Sequence, residues 1–114
     1  MRKPAPLALA EFELLVLLAA LRLGPTEAYT VSIADYIQQR TGRSVRRANV
    51  YTTLQRLEGK RLLATRLGEP RAERGGKPRR LVTVLPSGVA AVRATTGAIR
   101  AMVGDVGGII EETT

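Results

Sequence analysis

The sequence predicts a mainly α domain with one small β-hairpin, an α+β layout in which a helix-turn-helix is followed by a two-stranded wing and a C-terminal helix. Three observations predict it. Apolar residues recur at helical spacing within residues 44–63; the period changes to alternation at residues 63–67 and again at 80–85, across a stretch rich in Gly, Pro and charge. After Gly88 the apolar residues follow one another at spacings of three and four.

Taken in order, residues 1–6 form a short basic arm with Arg2, Lys3 and two prolines. Residues 7–23 are helix formers, and Phe12, Leu14, Leu15, Val16, Leu17, Leu18 and Leu21 leave little polar surface. A helix that is apolar nearly all round needs cover on more than one side, so a partner subunit is expected against Leu14 and Leu18. The basic tip and apolar run resemble a secretory leader, but Glu11 and Glu13 interrupt them, and the segment reads as a structural helix. Gly24 and Pro25 end it. A second helix begins after Thr30, carries Ile33, Ala34 and Ile37 on one face, and stops at Gly42.

The third helix lies in SVRRANVYTTLQRLEGKRLL, residues 44–63, where Val50, Leu54 and Leu57 stand at i, i+4 and i+7 and define the inward side. Asn49, Thr52 and Arg56 then project outward, Thr53 and Gln55 flank them, and Arg46 and Arg47 sit at the N-terminal mouth. Amides, hydroxyls and guanidinium groups match the donor and acceptor pattern of base-pair edges, and the cations match the phosphates beside them. Asn49, Thr52, Thr53 and Arg56 are therefore the candidate set for the major groove, Tyr51 is a further DNA-binding candidate, and Arg46, Arg47 and Lys60 are expected on phosphates. The wing loop, GEPRAERGGKPR, adds Arg71, Arg74, Lys77 and Arg79, and Arg80 follows it. Finally Val89, Val92, Thr96, Ile99, Val103, Val106 and Ile110 form a heptad stripe on one last helix, weakened by Gly97, Gly104, Gly107 and Gly108. Val92, Ile99, Val103, Val106 and Ile110 are the expected contacts with a second copy. The organisation is thus a basic arm (1–6), a winged helix-turn-helix (7–85) and a C-terminal dimerisation helix (86–114).

Composition restricts the function. The 114 residues, 45% of them hydrophobic, suffice for one core. The net charge of +8 is local, since residues 40–80 hold thirteen Lys or Arg against three acids, a local excess of +10 that leaves −2 for the remainder. A concentrated cationic surface calls for a polyanion, with nucleic acid ahead of an anionic membrane. There is no cysteine and no histidine, which removes disulfides, thiolate and imidazole metal ligands, the thiol nucleophile and the imidazole base. Neither an enzyme nor a cofactor is expected, and no apolar run is long enough for a membrane span. The cytoplasm is the expected location.

With these residues in view, the span from Phe12 to Gly88 resembles the PadR family of bacterial transcriptional regulators, minimal winged helices with a C-terminal dimerisation helix. The pieces that carry the resemblance are LLVLLAALRLGPTEAYTVSI, VYTTLQRLEGKRLL, the wing GEPRAERGGKPRRLVTV and the PSG turn. The chain departs from the family at Thr30 and Arg61, where glycine is usual, at Leu81 and Val82, where aromatics are usual, and at Leu85, where threonine is common. The resemblance implies a homodimer that binds double-stranded DNA at an inverted repeat and represses transcription. Some members of the family also take aromatic effectors at the dimer interface. With no Trp, one Phe and three Tyr, an aromatic-lined effector site finds no support in this sequence. A winged helix used for protein contact and a nonspecific nucleic-acid binder are the alternatives.

Overall fold

Glu11–Leu23 forms α1, and the other elements are arranged on it. The computed structural model describes residues 8–69, 78–104 and 106–113, and all their side chains except those of residues 112 and 113. After α1 come α2 (Thr30–Thr41), α3 (Arg47–Gly59), the strands β1 (Leu63–Leu67) and β2 (Arg80–Val84), α4 (Pro86–Val103) and α5 (Val106–Thr113). The basic arm and the wing tip, with Arg71, Arg74 and Lys77, lie outside the described residues.

α1 begins later than its composition suggests because a carboxylate sets its start. The Glu13 carboxylate accepts the Ala10 N–H at 2.9 Å, meeting one of the donors that a helix N-terminus leaves open. Val16 and Leu17 are fully buried, each contributing about 2 kcal/mol. The chain covers this helix more completely than expected, with α2, α3, β2 and α4 all packed on it. Leu14 and Val92, expected at a dimer interface, are therefore core residues of this chain, at 6% and 7% exposure. Leu18 is half-buried, and Leu21 is the large apolar residue of α1 left exposed.

α2 opens with the Tyr29 N–H donating to Ser32 Oγ at 3.0 Å and closes on Gly42, whose φ of 75° is the left-handed conformation that glycine adopts without strain. α3 ends differently. The Arg61 N–H donates to the Glu58 carbonyl at 2.9 Å and the Leu62 N–H to the Leu57 carbonyl at 3.0 Å, the paired bonds of a Schellman motif, and they place Arg61 at φ 59°. A side chain there is strained against its own backbone by roughly 1–2 kcal/mol, part of which glycine would return as lost chain entropy. Arg61→Gly is thus expected to raise unfolding stability by about 1 kcal/mol in urea titrations. Equal or lower stability would contradict the strain.

The strands pair antiparallel from Leu63 opposite Val84 to Leu67 opposite Arg80. Leu63 and Val82 face the core, and the Val82 N–H donates to the Ala28 carbonyl at 2.8 Å, which fastens β2 to the start of α2. The last helix is interrupted. Gly104, at φ 37° and ψ −122°, separates α4 from α5, so the expected single helix is two and the stripe from Val89 ends at Val103. Ile99 and Val103 are each 49% exposed, and Met102 more so.

Candidate nucleic-acid interface

α3 presents one face to the core and one to solvent, as its apolar spacing requires. Val50, Leu54 and Leu57 are buried, whereas Arg46, Arg47, Asn49, Thr52 and Arg56 are exposed. Thr53 is a correction: at 4% exposure it belongs to the inward face and does not project outward with Asn49, Thr52 and Arg56. Tyr51 is 52% exposed on the opposite flank from Asn49, and its hydroxyl accepts a hydrogen bond from Gln55 Nε2 at 3.2 Å. At 3.6 residues per turn the line farthest from the core runs through Ala48, Thr52 and Gln55. Gln55, read only as a flanking residue, therefore stands as far out as any side chain of the helix, and counting turns from Val50 and Leu57 would have found it. Thr52 donates its hydroxyl to the Ala48 carbonyl at 3.0 Å. No side chain caps the α3 N-terminus, so its open N–H groups add to the positive end formed by Arg46 and Arg47.

Two ion pairs hold this helix to α1. Lys60, expected on a phosphate, instead contacts Glu13 Oε2 at 2.8 Å and joins the end of α3 to the first turn of α1. The Glu13 side chain is only 5% exposed. Burial pushes its carboxyl up, but the hydrogen bonds from Lys60 and the Ala10 N–H, with the charges of Lys60 and Arg56, outweigh that and hold it below its ordinary value of 4.5. Composition gives no sign of this pair; the local signal is an acid three residues after Ala10, in the first turn of a largely apolar helix. The second pair is exposed: Arg43 forks onto Glu11 at 2.6 and 3.1 Å and ties the connection before α3 to α1.

A depressed folded-state pKa means that the unfolded chain binds the extra proton as pH falls. The stabilisation from Glu13 is complete above about pH 4.5 and is lost as pH drops through the lower folded value. Glu13→Gln is expected to cost about 1–2 kcal/mol at neutral pH and to flatten the acid limb of stability. Urea midpoints measured from neutral pH into the acid limb check this; an unchanged acid limb in the variant would remove Glu13 from the account.

At the wing, Arg80 Nη1 donates to Thr65 Oγ1 at 3.1 Å, and the Thr65 hydroxyl donates to Glu58 Oε2 at 2.7 Å, linking the hairpin to α3. Arg79 is not extended toward solvent as a phosphate contact would be. Its guanidinium lies 4.3 Å over the centroid of the Tyr29 ring, and its Nε is buried with no partner. Arg79 thus clamps the wing base to the start of α2. Between α3 and the hairpin lies a cavity of about 390 Å³, lined by Tyr51, Leu54, Gln55, Glu58, Thr65 and Arg80 among others. On the other side of α3 a cleft of about 350 Å³ is lined by Phe12, Asn49, Thr52, Thr53 and Arg56. Among the described residues no group of three or more acids could hold a metal ion, and no helix is long and apolar enough to cross a membrane.

Three helices, a hairpin packed beside the third, and a cationic outer face on that third helix define a winged helix. More particularly, the chain has the winged-helix fold of PadR-family transcription regulators. It superposes on a PadR family transcription regulator from hypervirulent Clostridium difficile with a TM-score of 0.70 at 15% identity, over 89% of this chain and 99% of that one. A PadR family transcriptional regulator from Eggerthella lenta matches with a TM-score of 0.64 at 24% identity, over 85% and 81% of the two chains. The circadian clock associated protein Pex from Anabaena matches at 0.52 and 17% identity, over 90% of each. No family model matches the sequence, and no curated protein matches it either.

Proposed function

We propose that the protein is a sequence-specific DNA-binding transcriptional regulator, a cytoplasmic repressor that acts as a homodimer on an inverted repeat. The observation that carries this reading is the outer face of α3, where Asn49, Thr52, Gln55 and Arg56 stand exposed behind Arg46 and Arg47, on a helix held by the Glu13–Lys60 pair. In this reading α3 enters the major groove, its amide and guanidinium groups contact base edges, and Arg46, Arg47, Arg80 and the wing-tip cations Arg71, Arg74 and Lys77 contact phosphates. Ile99, Met102 and Val103 on α4, together with Val106 and Ile110 on α5 beyond the Gly104 break, supply the apolar surface for a second copy, and a two-fold pairing sets two α3 helices one turn of DNA apart.

The test is selection of duplexes from a random pool by the full chain, followed by titration of the selected and a random duplex. Arg56→Ala is expected to weaken the selected duplex by roughly tenfold or more and the random duplex little, because a base-edge contact is worth about 1–3 kcal/mol. Equal losses on both duplexes would place Arg56 on phosphate and favour a nonspecific binder. No retained DNA would favour a winged helix devoted to protein contact.

A further inference from the structure

We propose that the cleft between α1 and α3 is a pocket for the C5-methyl group of a thymine, one per half-site, with Phe12 and Thr52 as its walls. The proposal rests on the DNA-binding reading above and names part of the sequence that this surface selects. Three features of the cleft carry it. Phe12 comes from α1, not from the recognition helix, yet it lines the same cleft as Asn49, Thr52 and Arg56. It is half-buried and packed against the core, so its ring is held in place while one side remains open. Thr53, closed off from solvent, forms the floor.

The chemistry of Thr52 decides what the cleft accepts. Its hydroxyl donates to the Ala48 carbonyl one turn back, at 3.0 Å, so its proton is engaged within the helix. With the oxygen turned toward the backbone, the γ-methyl is the group that the exposed side chain presents outward. Thr52 thus has no free proton to give to a base acceptor, and its contribution to the cleft is a methyl group beside an oxygen that can only accept. A Phe ring and a Thr methyl then stand between two polar readers, Asn49 and Arg56. Of the four bases only thymine places an apolar group in the major groove, and cytosine at that position would leave the Phe12 ring without a methyl contact and bring an amino donor toward the Arg56 cation. The flanking Asn49 and Arg56 suit adenine and guanine edges respectively, so the methyl-bearing thymine is expected next to a purine that one of them contacts.

The experiment replaces each thymine of a selected duplex, one at a time, by deoxyuridine, which differs only in lacking the methyl group. Affinities for the wild-type full chain are read by fluorescence anisotropy. One thymine per half-site is expected to show a loss of about fourfold, the value of one buried methyl group, while the other positions show none. Thr52→Ser, an exposed change that leaves the core alone, is expected to weaken the unmodified duplex and to lose part of the deoxyuridine penalty at that position; Phe12→Ala should lose most of it. A flat scan at every thymine overturns the proposal, as does a Thr52→Ser protein and a Phe12→Ala protein that both keep the full penalty. If selection enriches no duplex at all, the DNA-binding reading itself has failed; enrichment with a flat scan sinks the methyl pocket alone.

Discussion

Gly88→Ala is expected to destabilise the protein by about 3 kcal/mol, which for a chain of this length lowers the melting temperature by roughly 10 °C. A Cβ built on Gly88 would lie 2.1 Å from the Leu62 carbonyl oxygen and 2.8 Å from Val84 Cγ1. The nearer atom is backbone, and it cannot swing aside. Leu62 follows the strained Arg61 turn, its carbonyl already accepts the Leu85 N–H at 2.9 Å, and the Ser87 hydroxyl donates to the Arg61 carbonyl at 2.6 Å. These contacts join the end of α3 to the first turn of α4, so pushing them apart disturbs the seating of both helices. Gly97, with nothing within 4 Å of an added Cβ, is the control: Gly97→Ala should stabilise α4 by about 1 kcal/mol. Urea unfolding of the two variants beside the wild type checks both signs. A Gly88→Ala protein within about 0.5 kcal/mol of wild type would show that α4 is not seated on Leu62 as closely as described.

Gly88 illustrates what was legible in the sequence and what was not. The PSG turn announces a helix start, yet the demand for glycine comes from Leu62, in the turn between α3 and β1. Features that depend on local spacing were readable: the inward stripe Val50, Leu54 and Leu57, the stop at Gly42, and the alternation that became β1 and β2. Features that depend on which element lies opposite were not. Periodicity marks Leu14 and Val92 as apolar positions, but it does not say whether the chain's own α4 and α1 or a second copy will cover them, and the chain's own helices do. The hydroxyl of Thr53 suggests a polar flank, whereas the residue is buried, where its γ-methyl suits a core position. Charge alone places Lys60 and Arg79 on phosphates; their partners Glu13 and Tyr29 are distant in sequence. The glycines of the last helix were read as weak points, and one of them, Gly104, ends α4 outright.

Those reassignments change the expected dependence of DNA binding on salt. With Lys60 on Glu13 and Arg79 on Tyr29, each half-site retains Arg46, Arg47 and Arg80 as described cations toward phosphate, before any contribution from the wing tip. Two half-sites then give about six phosphate contacts, a slope of about −5 in log affinity against log salt, and a loss of about three decades between 50 and 200 mM salt. Wing-tip contacts would steepen it. Arg47→Gln removes one contact per chain, so a dimer should lose close to two units of slope and a lone chain on one half-site close to one, which makes the same titration a measure of stoichiometry. Tyr29→Leu should act differently: it leaves Arg46, Arg47 and Arg80 in place, so affinity falls through a displaced wing while the slope does not become shallower. Anisotropy titrations at four or more salt concentrations distinguish these outcomes. A slope shallower than about −2 in the wild type would be incompatible with two half-sites held through the cations of α3 and the wing.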